Sequence, residues 1–122
     1  MSSQVVTPAQ IEKRLYDLSK EIDDVQTYSE QVEKSYYEVK AAYEIGLAKT
    51  RLKYASVSSP TGKNYTVQER EDLALVENED LHFQMASIEA TVRSVRGNIN
   101  RIKTQVDIAR SIGTSVRTSM EV

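Results

Sequence analysis

Cysteine is absent from the 122 residues, so the chain can form no disulfide and offers neither a thiolate nucleophile nor a thiolate metal site. Thiol redox chemistry is excluded, and a reducing compartment is the natural expectation. Four glycines, two prolines and eight aromatics (seven Tyr, one Phe) are few. That removes the punctuation that sheets and tight turns need and leaves a chain rich in helix formers. No run of about 18 apolar residues occurs, and the N-terminus has no basic region followed by an apolar stretch. A soluble cytoplasmic protein, neither exported by a cleaved signal nor held in a membrane, is expected. Neither charge sign dominates, with 16 basic against 18 acidic residues. What is present is Leu, Ile, Val and Phe at 29 positions, enough to fold a charged chain but with little core to spare.

Those apolar residues are ordered in a repeat. From Ile11 the positions Leu15, Leu18, Ile22, Val25, Ser29, Val32, Tyr36, Val39, Tyr43 and Gly46 follow in alternating steps of four and three, the pattern of a heptad seam. Thr7-Pro8-Ala9-Gln10 supplies a cap, a proline suited to the first helical position and a capping-box Gln. Helix one is therefore predicted over about 8–55. The only cluster of turn residues lies between Ser56 and Thr66, around Pro60 and Gly62, and predicts a hinge at 56–66. Thr66-Val67-Gln68-Glu69 is a second capping box, opening helix two over about 67–112. Its seam is Leu81, Met85, Ile88, Val92, Val95, Ile99, Ile102 and Val106, then Ala109 and Gly113. Leu73 and Val76 keep another phase, which reads as a stutter in the packing across Glu77 to Asp80 and not a chain break. The tail 113–122 is expected to fray.

Charge comes in blocks along the chain: net −4 over 1–39, +4 over 40–66, −6 over 67–89 and +4 over 90–122. Folding back at Pro60 sets each acidic block beside a basic one, whereas a parallel arrangement would set like charges side by side. The fold class expected is all-α: a single domain over 1–122, an antiparallel two-helix hairpin of long coiled-coil helices. Such a hairpin has one apolar stripe per helix and no second layer. The off-seam residues Tyr16, Tyr28, Tyr37, Ile45, Leu47, Phe83, Ile108 and Ile112 then call for further partners, and a homo-oligomeric bundle or ring is the simplest supply. The seam from Leu81 to Val106 is the expected oligomer interface, although the pattern does not say whether it pairs within a chain or between chains.

Little in the sequence points to catalysis. His82 is the one histidine, and Glu79 precedes it by three, the Glu-x-x-His spacing of di-iron bundles, but no matching inward Glu stands on the seam of helix one. Thr61-Gly62-Lys63-Asn64 lacks the first Gly, the final Ser or Thr and the preceding strand of a phosphate-binding loop. No enzyme activity, cofactor or metal is expected.

The cations say more. Lys40, Lys49, Arg51, Lys53 and Lys63 gather toward the hinge, with Tyr43, Tyr54 and Tyr65 among them. Cations that track a backbone and rings on which bases stack are the ingredients of single-strand binding, with Lys49, Arg51, Lys53, Tyr54 and Lys63 the candidate residues. A second, mostly basic stripe runs through Arg93, Arg96, Asn100, Lys103, Asp107, Arg110, Thr114 and Arg117. Both sets can equally face the acidic blocks across the hairpin, since positions flanking a seam usually carry such charges.

The stretch Gly46-Leu47-Ala48-Lys49-Thr50-Arg51-Leu52-Lys53-Tyr54, followed by a polar loop and an acidic helix start at Thr66 to Asp72, resembles the UvsY recombination mediators of T-even-like phages. The likeness covers roughly residues 45–76, and size and helix order extend it to the whole chain. It implies a ring-like oligomer that binds single-stranded DNA and helps a RecA-like recombinase displace a single-strand binding protein, in the host-cell cytoplasm. It also implies that Lys49 and Arg51, which match the family's basic pair, contact the DNA backbone. Lys53 stands where that family can carry an acid. The alternative is a coiled-coil module, an adaptor, chaperone or inhibitor, that receives another protein on an exposed helix face.

Overall fold

The computed structural model describes residues 6–120 and is all-helical, with helices α1 (Pro8–Ala55), α2 (Val67–Glu77) and α3 (Glu79–Met120) and no strand beyond one isolated Ser58–Asn64 bridge among those residues. The export-signal reading of the N-terminus falls largely on residues 1–5 and lies outside the described residues, as does the end of the tail at 121–122. No helix among the described residues is long and apolar enough to cross a membrane.

The helix ends follow from local chemistry. Thr7 and Gln10 cap α1 reciprocally: Thr7 N–H donates to Gln10 Oε1 (2.9 Å) and Gln10 N–H to Thr7 Oγ1 (3.3 Å). At the other end the Ser56 hydroxyl donates to the Lys53 carbonyl at 3.1 Å, satisfying an acceptor that the helix leaves open. The connection then tightens. Ser59 N–H donates to Lys63 O (2.8 Å) and Gly62 N–H to Ser59 O (2.9 Å), a three-residue loop closed by Gly62 at φ 81°, where a side chain would be strained. Thr66 and Glu69 form the capping box that starts α2.

Two expectations about the second half are corrected. Helix two is not continuous over 67–112: Asn78, at φ −112° and ψ 21°, leaves the helical region and separates α2 from α3. Its amide side chain donates to Ala74 O at 2.8 Å and to the Thr50 hydroxyl, Oγ1, at 3.0 Å, so a short polar side chain shares a backbone acceptor, is held by α1 and ends the turn. The interruption is one residue long, because Asn78 N–H still donates to Ala74 O and His82 N–H to Asn78 O. Nor does the helix stop near 112, for α3 persists to Met120. Gly113 lies so close to Ile11 that an added Cβ would be 3.2 Å from Ile11 Cγ2, and Val116 is half-buried one turn on. Packing holds the turns that composition alone would let fray.

The chain divides into two compact units, Met1–Glu30 with Arg93–Val122, and Gln31–Val92. In the first, Leu18, Ile102 and Ala109 form a buried cluster with Leu15, Ile22, Val25 and Val106 packed around it. Leu18 and Ile102 are 0% and 1% exposed. In the second, Val32, Tyr43, Ala74 and Val92 are buried, together with the polar Thr50. Every seam position of α1 from Ile11 to Gly46 and of α3 from Leu81 to Gly113 is buried or half-buried.

Candidate nucleic-acid interface

The last turns of α1 carry Lys49, Arg51, Lys53 and Tyr54, and the loop that follows carries Lys63 and Tyr65. Between Glu44 and Glu69 the chain holds these four cations and no acidic residue. Lys49, Arg51 and Lys63 are exposed and make no ion pair among the described residues. At 100° per residue Lys49 and Arg51 point about 200° apart around α1, so they do not form one patch. Arg51 instead lines a shallow hollow of about 210 Å³ with Leu52, Ala55, Val67, Arg70 and Glu71.

Lys53 and Tyr54 are engaged. Lys53 Nζ lies 3.4 Å from Glu77 Oε1, and the Tyr54 hydroxyl donates a short hydrogen bond to the same oxygen. The Lys53 ammonium also stands 5.0 Å from the centre of the Tyr54 ring, and the Tyr54 and Tyr65 rings meet edge to face at 5.1 Å. The Tyr54 hydrogen bond is the first cause that holds the Glu77 carboxyl below its ordinary value. The same bond pushes the Tyr54 phenol up, and the hydrogen bond to Glu77 raises Lys53. One carboxylate thus satisfies two of the residues expected to meet nucleic acid.

A polar knot lies one turn deeper. Thr50, 7% exposed, donates from Oγ1 to Gly46 O at 3.0 Å and accepts from Asn78 Nδ2. Gly46 gives Asn78 its place: a Cβ there would overlap Asn78 Oδ1 and stand 3.1 Å from its Cγ. Sequence reasoning missed Gly46, Thr50, Glu77 and Asn78 as a group. The available signal was a hydroxyl residue continuing the α1 seam four positions after a glycine.

Other candidates are placed differently from their expectation. Tyr43 is buried with its ring 5.5 Å from His82, so it belongs to the packing and is no stacking platform. His82 also lies 6.0 Å from the Phe83 ring, and no three His, Asp or Glu side chains converge on a metal site among the described residues. Ile102 and Val106, expected at an interface between copies, pack on Leu18 and its neighbours inside one unit. Val92 and Val95 are buried, and Leu81, Met85, Ile88 and Ile99 half-buried, so the chain itself already covers this seam. Of the off-seam residues expected to need partners, Tyr16, Tyr28, Tyr37, Ile45, Phe83, Ile108 and Ile112 are exposed and Leu47 is half-buried; Leu52, Leu75 and Val76 are exposed as well. The second basic stripe is exposed along α3, and Arg93 and Arg96 in it are engaged. No protein family, no curated protein and no solved structure matches the chain.

Proposed function

We propose that this protein is a non-enzymatic single-stranded-DNA-binding factor of the recombination-mediator kind, which helps a RecA-like recombinase replace a single-strand binding protein. In this reading the helices form an antiparallel hairpin, copies associate through the off-seam apolar residues, and the connection between α1 and α2 meets the DNA. The observation that carries it is the acid-free stretch between Glu44 and Glu69. The stretch holds the exposed cations Lys49, Arg51 and Lys63, on different sides of the chain, together with a Tyr54–Tyr65 ring pair, so it carries both cations for phosphates and rings for bases. Repetition of this stretch in an oligomer would raise a weak single-site affinity by avidity.

The test is fluorescence anisotropy with a labelled oligo-dT across a salt series. The wild-type protein should bind saturably and lose affinity as salt rises, and Lys49→Ala with Arg51→Ala should weaken binding and flatten the slope by about 0.7 per lost contact. Unchanged binding in that double variant removes both residues from the account. Absence of binding at low salt favours the second reading, a protein-interaction module. That reading draws on the exposure of Leu52 (72%) and Phe83 (67%), large apolar side chains that a partner helix would cover. Light scattering after size-exclusion chromatography tests the assembly, and a monomer at micromolar concentration would contradict it.

A further inference from the structure

The pairing of Lys53 and Tyr54 with Glu77 bears on how the DNA-binding patch is held when it is empty. Glu77 is the last residue of α2, and the last turn of that helix carries no basic residue. A carboxylate at a helix C-terminus works against the helix dipole. Its compensation comes from across the unit, where Oε1 accepts from the Tyr54 hydroxyl and faces Lys53 Nζ at 3.4 Å. An anionic oxygen that accepts from a phenol and an ammonium, beside a second aromatic ring, presents what a phosphodiester oxygen would present there. The carboxylate and ammonium are 34% and 61% exposed, so the pair is accessible to exchange and of the weak, solvent-screened kind.

We infer that Glu77 is an internal stand-in for a nucleic-acid phosphate: it occupies Lys53 and Tyr54 in the free protein and is displaced when a single strand binds. The inference rests on the nucleic-acid reading above and adds to it an autoinhibitory contact. Displacement frees the end of α2 next to Asn78, where the backbone already leaves the helical dihedrals. A strap whose only role is to hold the helices would behave differently, since weakening it lowers stability without improving affinity.

The experiment measures oligo-dT anisotropy over a salt series for the full chain, Glu77→Gln, Glu79→Gln, Lys53→Ala and the Lys53→Ala/Glu77→Gln pair, with helix content checked by circular dichroism. Glu77→Gln should bind about threefold tighter or more, because binding no longer has to break the Glu77 contact to Lys53 and Tyr54, with the salt slope kept, since Lys53 meets a phosphate in both complexes. Glu79→Gln removes the same charge two residues away without touching Tyr54 or Lys53 and should give a clearly smaller gain. In the Lys53→Ala background the Glu77→Gln gain should shrink to that of Glu79→Gln. Glu77→Ala, which also removes the carboxylate and leaves the Tyr54 hydroxyl and Lys53 for a phosphate, should shift affinity in the same direction and serves if Glu77→Gln loses helix content. Saturable wild-type binding that Glu77→Gln leaves equal or weaker, or a gain that Glu79→Gln matches, overturns the stand-in and leaves the nucleic-acid reading in place. No binding by any variant at low salt overturns both.

Discussion

The two units solve the same packing problem with different chemistry. In Met1–Glu30 with Arg93–Val122 the joint is Leu18, Ile102 and Ala109 with aliphatic neighbours, and its side chains need only fill space. In Gln31–Val92 the apolar residues Val32, Tyr43, Ala74 and Val92 are supplemented by Gly46, Thr50 and Asn78, joined by directed hydrogen bonds, and by Glu77 with Tyr54 and Lys53 near the surface. A thin seam can draw strength from burial and still depend on a few polar residues for geometry. The polar unit is also the one that carries the candidate DNA patch, so its arrangement there affects which donors are open to a ligand.

The largest way to sharpen this contrast is to empty the apolar joint. Leu18→Ala or Ile102→Ala should each cost about 2–5 kcal/mol of stability in urea titrations followed by circular dichroism. A loss below about 1 kcal/mol would mean that this unit is not held by burial. Gly46→Ala probes the polar unit. Helix propensity alone favours Ala by about 1 kcal/mol, but the new Cβ displaces an amide that makes two hydrogen bonds, costing about 1–3 kcal/mol. A net loss is expected, and in an Asn78→Ala background the sign should reverse; additive effects would break the assignment of the knot. Gly97→Ala, in the apolar unit, meets nothing within 4 Å and should stabilise by up to about 1 kcal/mol, opposite in sign to Gly46→Ala.

The smallest effect is a pH dependence in the polar unit. Glu77 has its folded value lowered, so its support is full above its ordinary 4.5 and is lost as pH falls through the folded value. Lys53 and Tyr54 are raised, so their support is full below their ordinary 10.5 and 10.0 and is lost as pH rises through the folded values. Urea midpoints between pH 6 and pH 3 should fall further for the wild-type protein than for Glu77→Gln, and the alkaline loss should also shrink in that variant. Parallel profiles would remove Glu77 from the balance.

Much of the helical pattern was legible because it is local or periodic. The capping boxes at Thr7 and Thr66 need only residues three apart, and the steps of four and three picked out positions that are all buried or half-buried. The break at Asn78 was not legible, since within the helix an Asn beside acidic residues resembles a stutter. What ends the helix is an acceptor on Thr50, 28 residues earlier in the chain. The same holds for the candidate site. Lys49, Arg51 and Lys63 follow from composition near the loop, but the engagement of Lys53 and Tyr54 depends on where α2 delivers Glu77, and no spacing encodes that.

The knot has a consequence for alignment. Heptads look alike after a shift of seven, so aliphatic contacts alone would accept the helices slid along each other by one repeat. Asn78 does not accept it: such a slide would bring Tyr43 or Val57 where Thr50 stands and Val39 or Lys53 where Gly46 stands, leaving the amide without its short hydroxyl or its gap. A single non-repeating mark on a repeating scale thus fixes the zero of the whole ruler in this unit.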